Sequence, residues 1–415
     1  MEIQFFLPQR GETNDIYLNI SDKNTNTNLR FRTFLKIDED HWDIAAQRPK
    51  NIYLKTNKII NSKLDIIRLS IIELYKSKRK KPISVHTVSR LIKNISQEEN
   101  YNYPLDSFLG FMQQYIASRK PMICKSTYKR YMVFFRLLER FQGYVNKRLI
   151  INDINHEFVH EFIDFGKKED YSENTIYRSI HFVKTILNYA ERKGIRTFVR
   201  ELEIRREGQR REMITISEDE LQSIKNCDVP DELVSAKKWL LISCYTGQRI
   251  SDFMQFNSEK LIEIKGIVCI SFMQKKTHKE ITLPLHPAVM EIVRKNGGEF
   301  PKSIEPALYN VQIREIARLA GLRYQIRAKK RIGYRVKTVL TEKWEMLTSH
   351  IGRRSFATNF YGKIPTPLLM DATGHSTEQM FLKYINRMDN NKIVSLSSYF
   401  NQTYEVSKGL LSVAG

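Results

Sequence analysis

Short apolar runs separated by polar turns open the chain. Ile3 to Leu7, Asp15 to Ser21 and Leu29 to Lys36 are β-branched or aromatic runs, and the polar turns QRGETN and DKNTNTN separate them. This spacing predicts a meander of three short strands. The pattern then changes: between Lys55 and Ile72, the residues Ile59, Ile60, Leu64, Ile67 and Leu69 recur close to the helical repeat. The basic run Lys76 to Lys81 and Pro82 follow, and read as a solvated linker able to touch phosphates. From Pro104 to Gly194 the pattern is helical throughout, with amphipathic segments Leu105 to Ser118, Ser126 to Phe141, His156 to Lys167 and Ser172 to Lys193. Ser126 and Ser172 are the expected N-caps. Ile195 to Ile216 reads as a linker, with Arg205, Arg206, Arg210 and Arg211 around Gly208. Ser217-x-x-Glu220 then forms a capping box that opens a new helical unit. A helix from Glu232 to Tyr245 ends at Thr246-Gly247, short strands occupy 261–285 around the polar turn QKKTHKE, and helices are expected from Pro287 onward. The pattern divides the chain into 1–81, a strand-rich domain plus connecting helix; 82–194, a helical domain; 195–216, a basic linker; 217–400, a mixed domain; and 401–415, a tail.

Charge changes this picture most. The 415 residues include 68 Lys and Arg against 46 Asp and Glu, a formal net charge of +22. A polyanionic partner is the simplest reason to tolerate such self-repulsion, and the basic residues are clustered, which favours nucleic acid. In the helical segments Lys125, Lys129, Arg130 and Arg178 supply candidate DNA contacts, joined by the four linker arginines Arg205, Arg206, Arg210 and Arg211. The four cysteines are scattered, without a CxxC pair or a histidine at zinc-ligand spacing, so neither a disulfide framework nor a metal site is expected. No stretch approaches the ~20 apolar residues of a membrane helix. The N-terminus lacks the layout of a secretory signal, and a soluble, cytoplasmic protein is expected.

Four short segments carry candidate chemistry: Thr246-Gly-Gln-Arg249-Ile-Ser-Asp252, the turn Lys275-Lys-Thr-His-Lys279, Ser349-His350-Ile-Gly-Arg353-Arg354, and Thr373-Gly-His375-Ser, with Tyr384 nine residues beyond His375. Phosphodiester cleavage by a protein nucleophile gathers negative charge on two non-bridging oxygens, which two guanidinium forks suit. The leaving oxygen needs a proton from a lysine or histidine. A phenol with a pKa near ~10 ionises more readily among cations than an alcohol does. Arg249, Arg353, Lys276, His350, His375 and Tyr384 fill these roles together. His350 and Arg353, three residues apart, share a helical face. Ser376-x-x-Gln379 is expected to cap a new helix, and that break lets His375 and Tyr384 converge. Any one of these residues alone would more often be an ordinary ion pair or core group. Tyr361 and Tyr399 are the rival tyrosines, the first close behind Arg353 and the second in the tail.

In order and spacing, the four segments resemble the catalytic domain of the tyrosine recombinases, the phage integrase family. That family carries T-G-x-R-x-x-[DE], a lysine in a β-hairpin turn, H-x-x-R, G-H, and a tyrosine nine residues on. These match Arg249 with Asp252, Lys276, His350 with Arg353, His375 and Tyr384; Lys276 is preferred to Lys275 and Lys279 by counting back from Leu-Pro284-Leu. One departure is Arg354, where many members have histidine. The resemblance implies a multidomain, mainly α fold: a small N-terminal β-sheet domain that reads arm-type DNA sites, a SAM-like helical bundle that binds core sites, and an α+β catalytic domain. It implies attack by Tyr384 to give a 3′-phosphotyrosine, with Arg249 and Arg353 on the phosphate, His375 donating to it, Lys276 as acid, His350 as base and Asp252 orienting Arg249. The phosphotyrosine preserves bond energy, so no ATP, metal or other cofactor is expected. The implied partners are duplex DNA, a homotetramer passing through a Holliday junction, a host DNA-bending protein and a directionality factor, all acting at the bacterial nucleoid. The rival classes are a type IB-like topoisomerase or resolvase and a catalytically silent DNA-binding regulator.

Overall fold

The structure, a computed structural model, describes residues 1–8, 14–22, 27–51, 54–77, 84–98, 101–204, 213–332, 335–385, 397–398 and 401. The chain forms two compact units, Met1–Glu207 with Arg331–Val336, and Gly208–Lys330 with Lys337–Gly415.

The first unit opens with an antiparallel sheet of β1 (Glu2–Phe6), β2 (Asp15–Asp22) and β3 (Thr27–Lys36), in that order. The side chains of this sheet sort onto two faces. Phe5, Ile16, Leu18, Ile20, Phe31 and Leu35 are buried. On the other face the register aligns Gln4 with Asn19 and Arg30, and Phe6 with Tyr17 and Arg32. Arg30 lies over the rings of Phe6 and Tyr17, at 5.0 and 4.4 Å from their centroids. A two-residue ladder of β4 (Trp42–Asp43) and β5 (Arg48–Pro49) leads into α1 (Lys55–Ser77). Then come α2 (Val85–Gln97), α3 (Phe108–Arg119), α4 (Lys125–Val145), α5 (His156–Lys168) and α6 (Glu173–Arg192).

Sheet and helices share one core that runs from Phe5 to Leu202. Polar ties reinforce it: Arg48 pairs with Asp65 on α1 at 2.5 Å, and a Cβ on Gly143 of α4 would meet that carboxylate. Helix α2 falls inside the 82–194 stretch expected to be helical, in a part to which no individual helix had been assigned. Its Val88, Ile92 and Ile95 are buried, and it packs on β3 and α1. Ser172 caps α6 by accepting from the Thr175 amide at 3.2 Å, as expected. Ser126 does not cap α4. That helix begins one residue earlier, after the extended Cys124, because Lys125 already has helical geometry.

The second unit begins as expected. Ser217 accepts from the Glu220 amide and Glu220 accepts from the Ser217 amide, closing the capping box of α7 (Glu218–Asn226). Glu220 also binds Lys343 Nζ at 2.6 Å and the Tyr324 hydroxyl at 2.7 Å, tying α7 to the segment that precedes His350. Helix α8 (Asp231–Thr246) carries the core, with Trp239, Leu240 and Ile242 buried. After α9 (Ile250–Phe253), the strands β6 (Leu261–Ile264), β7 (Ile267–Met273) and β8 (Glu280–Pro284) form an antiparallel meander. Helices α10 (Pro287–Lys295) and α11 (Pro306–Leu319) follow.

The expectation of helices alone after Pro287 fails at β9 (Gln325–Ile332) and β10 (Arg335–Glu342), a two-stranded hairpin. Among its described side chains only Ala328 and Thr341 are buried, so basic residues fill positions where an apolar alternation would have signalled strands. The unit continues with α12 (Ile351–Phe360), α13 (Thr366–Thr373) and α14 (Glu378–Leu382).

Candidate active site

Two glycines let α8 and α12 approach closely enough to assemble a site. A Cβ on Gly352 would meet Ser243 Oγ at 2.1 Å, and one on Gly247 would meet the Phe356 ring at 2.5 Å. Gly247 also ends α8 with a φ of +66°, a conformation that side chains with a Cβ rarely adopt. The chain then turns, and Arg249 becomes the N-cap residue of α9. Its Nη1 donates to Gln274 Oε1 at 3.0 Å, whereas Asp252 Oδ2 stands 4.0 Å away. The buried Asp252 instead accepts through Oδ1 from the Lys275 amide at 3.1 Å, so its close contact ties the hairpin turn to α9.

Arg353 is wholly buried. It donates from Nη1 to the Gly247 carbonyl at 3.0 Å and from Nη2 to the Thr373 carbonyl at 2.6 Å, while its Nε has no partner among the described residues. Burial, then the charge of Arg249, lowers its pKa to about 10, still leaving it charged at neutral pH. His375 follows Gly374, which ends α13 with a φ of +71°. The Thr373 hydroxyl donates to the Leu369 carbonyl at 2.6 Å and is left to accept from His375 Nδ1 at 2.7 Å. That assignment leaves Nε2 to accept from Arg353 Nη2 at 3.1 Å, so the ring is neutral and protonated on Nδ1. The electrostatics agree: burial, then Arg353 and Arg249, push the imidazole down to about 3.

Tyr384 completes this cluster. The break after α13 brings its ring to 4.9 Å from that of His375, and the Arg353 guanidinium carbon lies 5.5 Å from its centroid. The residue that caps α14 is Thr377, which accepts from the Met380 amide at 3.3 Å, and not Ser376. Thr377 is the extended residue directly before Glu378, whose position starts the helix. His350 is the N-cap residue of α12, so it stands at the helix edge while Arg353 points inward one turn later. Burial and then the charges of Arg354, Arg353, Arg249 and Lys276 lower the His350 pKa below its ordinary value. Lys276 is exposed in the β7–β8 turn, and its charge acts on His350. The Arg354 pKa is lowered by burial, with the Tyr384 phenol opposing the shift.

Arg249, Arg353, His375 and Tyr384 thus converge, with His350 and Lys276 at the rim. Tyr361 ends α12 and packs against Phe381 at a centroid distance of 6.3 Å. Tyr399 lies outside the described residues, as do Arg205, Arg206, Arg210 and Arg211 and most of the Lys76–Lys81 run. Lys125, Lys129, Arg130 and Arg178 are exposed on α4 and α6.

Two residues escaped the sequence reading although both sit inside its motifs. Gln248 and Gln274 are wholly buried. Gln248 Nε2 donates to the carbonyls of Thr246 and Ala372 at 2.8 and 2.7 Å. Gln274 Nε2 donates to Gln248 Oε1 at 3.3 Å and to the Thr373 carbonyl at 3.2 Å, and its Oε1 accepts from Arg249 and from the Thr277 hydroxyl at 2.7 Å. The available signal was a glutamine directly before the arginine in T-G-Q-R and another opening the Q-K-K-T turn.

Chemistry and fold point to one class, a DNA-cleaving and rejoining enzyme. The model described as Phage integrase SAM-like domain matches residues 107–198, and that of the Phage integrase family matches 214–391. Among solved structures, the XerH site-specific recombinase bound to palindromic difH substrate is similar, at 13% identity and a TM-score of 0.51, covering 83% of this chain and 96% of that one. The Tn1549 transposon integrase (residues 82–397) in complex with circular intermediate DNA is similar at 12% identity and a TM-score of 0.50, covering 70% of this chain and 99% of that one. No curated protein matches the chain in sequence. The chain belongs to the phage integrase family, the tyrosine recombinases, and is a site-specific recombinase that cleaves and rejoins DNA.

Proposed function

We propose that Tyr384 is the nucleophile of a two-step strand exchange and that the cationic set around it carries the chemistry. The observation that carries this reading is the convergence of Tyr384 with Arg353 and His375, which are themselves 22 positions apart in sequence yet in contact. The Tyr384 phenolic oxygen bonds to the scissile phosphorus, the bond from phosphorus to the 5′-oxygen breaks, and a 3′-phosphotyrosine forms. His350, neutral at pH 7 because its pKa is lowered, takes the phenolic proton. Lys276 delivers a proton to the leaving 5′-oxygen. Arg249 and Arg353 hold the non-bridging oxygens, and the unpartnered Nε of Arg353 is a donor available to one of them. Burial and then two arginines depress the His375 pKa, and the phosphate's negative charge raises it, so that Nε2 can donate to the phosphate. Asp252 holds the hairpin turn and supports Arg249 from 4.0 Å. The reverse attack, by a 5′-hydroxyl on the phosphotyrosine, rejoins the strand.

The domain reading follows the same logic. The helical segment 82–194 binds core sites through Lys125, Lys129, Arg130 and Arg178, supported by their exposure. Segment 1–81 binds arm-type sites, supported by the open sheet face with Gln4, Asn19 and Arg30 in register, side-chain types that read base edges. Within the stretch 195–216 read as a basic linker, Val199 and Leu202 belong to the core of the first unit and Ile216 to that of the second. The linker is the part between them; 217–400 is the catalytic domain and 401–415 the tail. A homotetramer on a Holliday junction, a host DNA-bending protein and a directionality factor complete the assembly, and the cytoplasmic nucleoid is where it acts. No helix of the described residues is long and apolar enough to cross a membrane.

The test is a nicked suicide substrate carrying the core site. Wild type forms an SDS-stable covalent complex, Tyr384→Phe forms none, and Tyr361→Phe and Tyr399→Phe retain it. A persistent adduct in Tyr384→Phe overturns the assignment of the nucleophile. Relaxation of supercoiled DNA that lacks any specific site would favour a topoisomerase instead.

A further inference from the structure

Three of the four motif segments meet at a single buried amide, and the fourth, which carries Arg353, is reached through Thr373. Gln274 is the last residue before the β7–β8 turn, and its backbone closes that turn. Its amide donates to the Lys279 carbonyl at 2.9 Å, and its carbonyl accepts from the His278 amide at 2.9 Å. Its side chain reaches in the opposite direction, into the polar centre between Gln248, Thr373 and Arg249. Through Thr373, whose carbonyl also accepts from Arg353, it is one bond removed from the second arginine. A Cβ on Gly374 would press on the Gln274 amide at 2.8 Å, so the glycine before His375 is what makes room for it.

We propose that Gln274 is a positioning residue that sets the lysine turn and Arg249 in a common frame. It acts on Lys276 through Thr277 and the turn backbone, and on Arg249 directly. The proposal rests on the reading of Lys276 as the acid.

The physical argument turns on the exposure of Lys276. An exposed lysine on a hairpin tip samples many positions, and proton delivery requires one of them. The described contacts that bind this turn to the arginine-bearing segments are the Gln274 amide, the Thr277 hydroxyl and the Asp252 carboxylate on the Lys275 amide. A primary amide suits the position because it both accepts, from Arg249 and Thr277, and donates, to Gln248 and Thr373, without adding charge. A carboxylate there would face the Thr373 carbonyl and Gln248 Oε1 with no proton to give, and would draw Arg249 toward itself. An apolar side chain would leave buried polar groups unpaired.

The experiment separates proton delivery from phosphate binding. Suicide substrates are made with either oxygen or sulfur as the 5′-bridging atom at the scissile phosphate. The sulfur leaves as a thiolate and needs no proton, so the ratio of sulfur to oxygen cleavage rates reads how well the acid is placed. Wild type, Lys276→Ala, Gln274→Ala, Gln274→Glu and Thr277→Ala are compared in the full-length protein, with DNA binding and thermal melting measured alongside. For Lys276→Ala the oxygen substrate slows by about 10²-fold or more and sulfur restores the rate. For Gln274→Ala the oxygen substrate slows on the order of 10²-fold and the ratio rises in the same direction, with the unrestored part belonging to Arg249. Gln274→Glu does not recover wild-type cleavage. Thr277→Ala, an exposed turn variant that keeps the fold even where Gln274→Ala does not, raises the ratio by a smaller factor. If Lys276→Ala shows the raised ratio while both Gln274→Ala and Thr277→Ala keep that of wild type, the proposal is overturned alone. If Lys276→Ala itself keeps the wild-type ratio, the acid assignment fails and the proposal falls with it.

Discussion

The helical bundle and the buried centre around Arg353 both carry cations, in opposite surroundings. Lys125, Lys129, Arg130 and Arg178 stand in water, where each charge is screened and keeps its rotamer freedom. Arg353 has no exposed surface, and two backbone carbonyls fix its fork before DNA arrives. Solvated cations contribute affinity that is additive and salt-dependent. Buried, pre-oriented ones act where charge develops, because little reorganisation remains to be done at the moment of reaction. The two regions therefore fail differently when altered.

The largest effect is expected in the buried centre. Arg353→Lys keeps a charge but loses the planar fork that reaches the Gly247 and Thr373 carbonyls at once. Covalent-complex formation should fall by about 10²–10³-fold with DNA affinity nearly unchanged. An equal loss in gel-shift affinity and cleavage would erase the contrast between the two regions.

A second test uses pH. His375 in the folded chain is held far below the ordinary histidine pKa, to about 3, so in acid the unfolded chain binds a proton that the folded chain refuses. Stability is therefore complete above the unfolded value near ~6.5 and falls as pH drops toward 3, by up to about 1.4 kcal/mol per pH unit from this group. Denaturation of the DNA-free protein across that window should show the slope, and His375→Gln should flatten it. An unchanged slope would mean that the imidazole is protonated in the folded protein. His350 is lowered in the same direction, so single-turnover cleavage should decline on acidification with a midpoint below the ordinary histidine value.

The smallest effects belong to the bundle. Lys129→Ala and Arg130→Ala should each weaken binding a few-fold and reduce the slope of log affinity against log salt by about 0.9, with no change in the cleavage rate of bound substrate. A cleavage defect at saturating protein would show that these residues do more than hold the backbone.

Much of the centre was legible in the chain itself. Arg249, His350, Arg353, His375 and Tyr384 lie in short segments whose spacing follows from helix ends and turns, and Gly247 and the Ser217–Glu220 box mark those ends by local backbone chemistry. The same local logic found the strands of the first sheet. It placed 84–98 in the helical domain but assigned no helix there, although Val88, Ile92 and Ile95 recur at helical spacing. It missed the β9–β10 hairpin, whose described buried positions hold only an alanine and a threonine. It put helix caps at Ser126 and Ser376, where backbone geometry starts the helices elsewhere.

The residue types, their order and the reaction class they serve were thus set by sequence, since those depend on chemistry carried within a few residues. What tertiary structure alone decided is the environment of each group. The complete burial of Arg353, the neutral Nδ1-protonated ring of His375 and the meeting of Gln248 and Gln274 with residues 124 and 99 positions away all arise from contacts between distant segments. No local pattern encodes a hydrogen bond between groups that only the packed core brings together.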